Sequence, residues 1–476
     1  MYGRRVIYTD VDEINAGNVL SVLQNALLTH NQNRHEIKTL YDYYRGKQAI
    51  ENRTKDIRPE INNKIVENRA NEIVTFKTGY LVGEPIVYIN RTEKDEYSDG
   101  VNTLNEYMYI ESKNNKDKKL VDWMHIAGTA NRLALPRINH TEDEAPFEFY
   151  TLSPMNSFVI YSSGLSKKRM AGVKIVFDDE MNPVYSVWTD KWYFEVKEGE
   201  IINGSELEID GKKEKQKGQP TMFGYVPMVE YPLNEARLGA FEIVLSMLDA
   251  INEVASDRLD GVDQFIQSLM TFCNCDIDEE TFTALKELGA LKYKSDSNNP
   301  AKVEILTQEL NQMQTQTLVD YMYETILTIC GMPNRNGGSS TSDTGSAVIM
   351  RDGWSAAEAR AKDTENMFDE SEKEFLKLIL SYLRSDDGTA NVVPLYAIKP
   401  QFTRRNYENI LTKANVLVTM LGCNKIHPKL AFIHCGMFPD GEAAWAMSKE
   451  YYEQEAKVKQ DALIKELTNH NADDNS

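Results

Sequence analysis

Asp343-Thr-Gly-Ser346 contains the Asp-Thr-Gly signature of aspartic proteases. In that chemistry two carboxylates share one proton and activate a water molecule. The motif ordinarily follows an apolar strand, whereas here Gly337-Gly-Ser-Ser-Thr-Ser342 precedes it and a helical pattern follows. Asp343 or Ser346 as a helix N-cap accounts for the residues more simply, because either side-chain oxygen can accept a free N–H of the first turn. Cys423, His427, His434 and Cys435 have the residue types of a zinc site. They lack the close Cys-x-x-Cys pairs of structural zinc and read as small core residues instead. Cys273 and Cys275 alternate on a strand pattern, which places both on one packed face. The chain has no Gly-x-x-x-x-Gly-Lys-Ser/Thr phosphate loop, no Gly-x-Ser-x-Gly elbow and no His-Glu-x-x-His pair. Nucleotide hydrolysis, acyl transfer and zinc proteolysis therefore lack their usual residues, and no cofactor is implied.

Two other patterns could act through charge alone. Asp249, Glu253 and Asp257 stand four apart on a helical segment, and Asp260 continues the column. Like charges at that spacing cost about 0.2–0.5 kcal/mol per pair in an isolated helix. The column reads either as the lining of a channel that keeps phosphates from adhering, or as a solvated outer face. The second pattern is a polar loop of Asn334, Arg335, Asn336, Gly337, Gly338, Ser339, Ser340, Thr341, Ser342, Asp343 and Thr344. Its glycines free the backbone, and its short hydroxyls can touch phosphate without binding it strongly. Arg335 is its only cation.

Long helices must position both. Leu238, Phe241, Leu245, Leu248, Asn252, Ala255, Leu259, Val262, Ile266 and Leu269 step by three and four, so one apolar seam runs the whole length. Asn252 is its one polar break; it either fixes register between packed helices or sits at the edge of a local core. A small α/β insert follows, with strands expected at Phe272–Cys275, Leu291–Tyr293 and Val303–Leu306 and a helix at Glu279–Leu288. A second helix runs from about Gln308 to Cys330, stopped by Gly331 and Pro333. A third, from about Ser346 to Arg384, would be on the order of 58 Å long if straight. Helices at Arg405–Leu421 and Gly441–Leu467 close the pattern, after a short strand at Asn391–Ile398. Upstream, residues 1–40 read as a polar helix and Lys64–Thr78 as a helix stopped by Gly79. Tyr80–Ile89 reads as a broken strand. Between Phe147 and Asp210 the period changes to two, giving antiparallel strands at Phe147–Leu152, Phe158–Tyr161, Val173–Phe177, Val184–Trp188, Trp192–Val196 and Glu206–Ile209. The charge run Gly211–Gly218 reads as a solvated loop.

The totals agree with a folded α+β chain of several domains. Of 476 residues, 41% are hydrophobic and 26% charged. Lys and Arg number 53 against 73 Asp and Glu, a formal charge of −20, which argues against a general nucleic-acid binder. Five cysteines suggest no disulfide framework and a reducing compartment. Met1–Asp10 lacks the apolar core of a signal peptide, and no run of 18 apolar residues could span a membrane.

Four groups of segments, in order, carry a resemblance over residues 40–460. The first is Tyr43-Tyr-Arg-Gly-Lys47 with Asn63-Lys-Ile-Val-Glu-Asn68 and Thr78-Gly-Tyr-Leu-Val-Gly-Glu-Pro85. The second is Phe223-Gly-Tyr-Val-Pro-Met-Val-Glu230 leading into Leu248-Asp-Ala-Ile-Asn252 and Ser256. Cys330-Gly-Met-Pro333 and Gly345-Ser-Ala347 complete the set. In this order they resemble the portal proteins of tailed bacteriophages, most nearly those of long-tailed phages of Gram-positive bacteria.

The resemblance implies a multidomain α+β subunit. Residues 1–235 would form N-terminal helices and a β-rich wing, 236–270 a stem helix, 271–310 a clip and 311–332 the second stem helix. Residues 333–346 would form a DNA-facing tunnel loop, 347–404 a long wing helix and strand, and 405–476 a helical crown and tail. It further implies a dodecameric ring at one capsid vertex of the virion, assembled in the host bacterial cytoplasm without membrane contact. Double-stranded DNA would pass through in both directions, driven inward by a separate ATP-hydrolysing terminase. Scaffolding, major capsid and head-completion or adaptor proteins would be the other partners. The insert lysines Lys286, Lys292, Lys294 and Lys302 are candidates to meet an acidic motor, against the plainer reading of solvated lysines. The alternative to a portal is another oligomeric scaffold or adaptor of the phage head without a DNA channel.

Overall fold

The computed structural model describes residues 3–457 apart from 93–94, 138, 142, 210–211, 222–223, 267–268, 274–299, 301, 307–311, 335–352, 386–391, 405–409, 424, 439–440, 442–443 and 455–456. The fold is α+β. Its longest N-terminal helix, α1 (Val19–Tyr44), buries Val19, Val22, Leu23, Ala26, His30, Asn33, Ile37 and Leu40, a stripe at steps of three and four. The stripe is too long for one partner. Its first half packs on a sheet, and Leu40 joins a second core with Phe241, Leu248, Ile251 and Ile326. The expected helix over 1–40 is corrected at its start, where Ile7–Thr9 forms strand β1, paired in parallel with β5 (Ser157–Ser162). Ile7 and Ile14 are apolar anchors that the sheet core takes up there.

The sheet runs β1-β5-β6-β7-β8-β12, with β6 at Arg169–Phe177, β7 at Pro183–Trp188, β8 at Trp192–Lys197 and β12 at Gln219–Pro220; the short β9 (Glu200–Ile201) pairs with β8. Period-two residues Phe158, Ile160, Ala171, Val173, Ile175, Phe194 and Val196 turn one face inward against α1. A second sheet, β13-β3-β4, uses Met228–Pro232, Thr129–Pro136 and Phe147–Leu152. It meets the first at Gly172, where an added Cβ would lie 2.4 Å from Met228 Cβ. All six expected strands are present. The run Gly211–Gly218 is corrected. It holds strand β11 (Lys212–Lys217), antiparallel to β10 (Gly204–Ile209), in a register that sets Glu206 opposite Lys215 and Glu208 opposite Lys213. Opposite charges at facing positions favour such a ladder.

Helices α2 (Arg69–Val82), α3 (Ser98–Ile110) and α4 (Lys113–Ala127) cover the second sheet. Gly79 does not stop α2. It lies exposed, with nothing within 4 Å of where a Cβ would lie, while Leu81 and Val82 continue the buried stripe. The strand expected at Tyr80–Ile89 shrinks to β2 (Val87–Asn90), which pairs with β16 (Ile398–Gln401); that strand starts where the one expected at Asn391–Ile398 ends. The seam helix is likewise shorter than its heptads: α5 spans Leu245–Ile266. Leu238 and Phe241 precede it because Gly239 must pass close to the end of α4, where a Cβ would meet Ile126 O at 2.6 Å. Leu269 belongs to β14 (Leu269–Cys273), paired with β15 (Lys302–Leu306). Helix α6 is Gln312–Cys330, α7 is Trp354–Ser385 and α8 is Ile410–Leu421. A helix not expected, α9 (Pro428–His434), and helical residues 444–454 pack with α8 around Phe432 and Trp445. The insert's expected helix and middle strand lie outside the described residues.

Candidate functional site

One face of α5 carries Asn252, Ser256 and Asp260, spaced by four. All three are buried. They face an extended segment, residues 62–68, that has no strand partner. The Asn63 N–H donates to Asp260 Oδ1 at 2.7 Å, the Ile65 N–H to Ser256 Oγ at 2.9 Å and the Glu67 N–H to Asn252 Oδ1 at 2.8 Å. The two periods match. Four helical residues rise about 6.0 Å and two extended residues about 6.6 Å. Side chains of α5 thus replace the neighbouring strand that this strap lacks, so each N–H facing the helix is satisfied.

Further contacts close the strap. Asn252 Nδ2 donates to Gln48 Oε1 at 2.5 Å, and Gln48 Nε2 donates to the Tyr43 carbonyl at 3.2 Å and to Asn68 Oδ1 at 3.3 Å. Asn68 in turn caps α2 by accepting the Asn71 N–H. At the other end Arg53 pairs with Asp257 and, at 3.1 Å, with Asp260, while Lys55 also pairs with Asp260. Burial alone would raise the Asp260 carboxyl, but Lys55 and the Asn63 N–H and amide hold it below the usual carboxylate range. Asn252 is therefore neither a stem-to-stem register mark nor an edge residue. It is an internal hydrogen-bonding post.

Helix α6 docks beside this unit. Arg69 lies over the Tyr323 ring at 4.2 Å, Tyr323 OH donates to Glu72 Oε1 at 2.9 Å, and Arg258 donates to Gln316 at 2.7 Å. Gly331, at φ +65°, turns the chain out of α6. Higher in the fold, α7 is pinned by a buried charge network. Glu372 Oε2 lies 3.2 Å from Arg132 and accepts from Tyr231 OH at 2.7 Å. Glu372 Oε1 lies 3.1 Å from Lys113 and accepts from Tyr88 OH at 2.6 Å. Asp117 pairs with both cations, so the charges balance. Burial pushes the Glu372 carboxyl up, but Lys113 and Arg132 outweigh it and hold the group at about 2.

The acidic column divides in this setting. Asp249 accepts from Tyr43 OH at 2.9 Å, Asp257 and Asp260 hold the strap, and Glu253 is exposed. Tyr43 is pushed up to about 12 by burial and then by Asp249. In the loop, Asn334 is described and its amide donates to Glu324 Oε1 at 3.4 Å. Arg335 to Thr344 lie outside the described residues, as do Ser346 and Lys286, Lys292 and Lys294. Lys302 opens β15 opposite Cys273. Of the metal candidates, His427 Nδ1 accepts the Lys429 N–H and caps α9, and Cys435 is buried with its thiol near Phe432 O at 3.4 Å. Gln48, Arg53 and Lys55, which brace the strap, and the pin at Glu372 were not singled out from sequence. The i, i+4, i+8 run of Asn252, Ser256 and Asp260 was the available signal for the first group.

Among the described residues no helix is long and apolar enough to cross a membrane. A family model described as phage portal protein, SPP1 Gp6-like, matches residues 25–462. No curated protein matches the chain.

Proposed function

The chain belongs to the SPP1 Gp6-like phage portal proteins, and from that premise we propose that it is the subunit of a dodecameric DNA channel at one vertex of a phage head. In this reading α5 and α6 form the stem around the channel. Double-stranded DNA is driven inward past them by the terminase and leaves by the same path at ejection. The insert, with Lys286, Lys292, Lys294 and Lys302, meets the motor and later the head-completion or adaptor protein. The crown faces the capsid interior, among major capsid and scaffolding proteins. Assembly takes place in the bacterial host's cytoplasm, for a long-tailed phage of a Gram-positive host. The subunit makes and breaks no covalent bond; the terminase supplies the ATP chemistry.

The observation that carries this reading is the way α5 is held. One face is fastened by the polar ladder from Asn252 to Asp260. Leu259 and Val262 of the same helix stay 38% and 40% exposed, and α6 exposes Met313, Leu318 and Tyr321. A rigidly mounted hairpin with free apolar faces supports packing of stem against neighbouring stem. Glu253 is the member of the acidic column free to face DNA, together with the outer edge of Asp257. A negative lining gains none of the counterion-release affinity that Lys or Arg would give, so DNA can slide. The tunnel loop, Asn334 to Thr344, would touch the DNA with Gly, Ser and Thr.

Electron microscopy of the purified protein tests the reading. Rings of about twelve subunits with an open centre are expected. A compact dimer without a pore would overturn it in favour of a phage-head adaptor. Within rings, deletion of Gly337–Ser342 should impair DNA packaging while leaving assembly intact.

A further inference from the structure

The strand position beside β8 is split. β9 pairs with Val196 and Lys197, β12 pairs with Trp192 and Tyr193, and between them the chain leaves the sheet as the ribbon β10–β11. Asn203 fills the gap at the ribbon's root. Its Oδ1 accepts the Glu195 N–H at 2.8 Å, and its Nδ2 donates to the Tyr193 carbonyl at 2.9 Å. Gly218, at φ +87°, returns the chain against Phe194, where a Cβ would lie 2.4 Å from the ring. Among the described residues β10 and β11 pair with each other and with no other strand, and they pack closely on no other element. A two-stranded ribbon with nothing beside it is only marginally stable in water. The register and the alternation of a strand place Leu207 and Ile209 on one face of the ribbon and Glu206 and Glu208 on the other. The ribbon therefore has a firm root and an apolar face that no described element of its own chain covers.

At the β1 edge of the same sheet the surface is open. Tyr8 of β1 and Tyr225 are each nearly half exposed, and Leu165 in the turn between β5 and β6 is fully exposed. All three border a cleft of about 860 Å³, which also takes in Met367 of α7 and the exposed Lys167, Glu235 and Glu370. A space of that size holds several side chains. The ribbon, six residues to a strand, is about 20 Å long, and its root lies five strand spacings, about 24 Å, from β1. Its own Tyr8 is thus out of its reach. A ring of identical subunits joins two different patches, one on each side of every copy. Ribbon and cleft are two such patches, at opposite edges of one sheet. We propose that β10–β11 is an arm that docks in the cleft of the neighbouring copy, its Leu207 and Ile209 face covering Tyr8, Leu165 and Tyr225. Lysines and glutamates of the ribbon then meet Glu235, Glu370 and Lys167 at the rim. This inference rests on the ring of copies proposed above.

Cross-linking of the full chain with a short bismaleimide tests the arm. The double variant Ile209→Cys with Leu165→Cys should give a ladder of covalent multimers on a denaturing gel, and neither single variant should. Electron microscopy of the same sample separates this inference from the channel reading. Rings that give no ladder, with Leu165→Cys or with Tyr225→Cys as the second site, overturn the arm and leave the channel standing. Absence of rings from the unaltered chain overturns both. Should the cysteines block assembly, hydrogen–deuterium exchange of the unaltered chain decides. Residues 204–217 should exchange at least about tenfold more slowly in rings than in dissociated subunits. Equal exchange in the two states overturns the arm.

Discussion

Replacing Asn252 by Ala removes one post of the ladder and strands two groups. The Glu67 N–H loses its acceptor at 2.8 Å, and the buried Gln48 Oε1 loses its donor at 2.5 Å. A buried polar group left without a partner costs about 1–3 kcal/mol. Glu67 is half-buried, so water can soften its share, and the sum is about 2–4 kcal/mol. The loss is local, because Ser256 and Asp260 still hold Ile65 and Asn63. A tenfold change in an equilibrium corresponds to about 1.4 kcal/mol, so the Glu67 amide should exchange with solvent about 30- to 1,000-fold faster. The assay is hydrogen–deuterium exchange resolved to single amides over residues 60–70. Exchange should quicken most at Glu67, less at Ile65 and least at Asn63. Asp260→Asn, which weakens the pairs with Arg53 and Lys55, should reverse that order. An unchanged Glu67 amide, or equal acceleration of all three amides together with those of β6, would refute the ladder as three separate posts.

Three other outcomes follow from buried chemistry. Glu372→Gln leaves Arg132 and Lys113 facing Asp117 alone; breaking a buried pair in this way costs about 3–5 kcal/mol, measurable as a lower urea midpoint. His125 and His30 are held near 3 and 4, chiefly by burial, against an ordinary 6.5. The unfolded chain therefore takes up their protons first, and stability should fall as pH drops below about 6.5; Glu372, at about 2 against 4.5, adds to the loss below pH 4.5. Melting temperatures from pH 7.5 to 5 check this, and a flat profile would count against buried neutral histidines. Gly172→Ala drives a methyl to 2.4 Å from Met228 Cβ and should cost about 1–3 kcal/mol, seen by thermal melting.

What could be read in the sequence tracks what is local in the physics. The six strands between Phe147 and Ile209 were legible because each needs only its own alternation and a turn at either end. Gly331 and Pro333 likewise located the end of α6. Errors arose where a distant partner overrides a local signal. Gly79 looked like a stop, yet Leu81 and Val82 gain more by entering the core than one exposed glycine costs. The heptads ran past both ends of α5, because periodicity records which residues are apolar and not where Gly239 must squeeze past Ile126.

The site was legible in part for the same reason. Asn252 stood out as a polar break, but a break can be interpreted only with its partner, and the partner lies 185 residues earlier in the chain. The strap has no pattern of its own, since every second N–H faces a side chain instead of a strand. Its residues Asn63 to Asn68 and the α5 residues Asn252 and Ser256 stand in the sequence as separate segments; the fold makes them one unit. That union explains the choice of residue types. Asn, Ser and Asp are short acceptors that can meet a backbone N–H from a helix surface without lifting the strap away. Longer Gln or Glu would reach the same donors only by holding the strap farther off. A helix such as α5, which leaves Leu259 and Val262 of its seam exposed, is fixed better by three directional bonds than by apolar contact, which tolerates sliding. The acidic column shares in this. Asp257 and Asp260, which repel on an isolated helix, are brought together by Arg53 and Lys55. Their spacing is therefore a binding pattern for the strap first; Asp249 holds Tyr43 instead, and Glu253 is exposed.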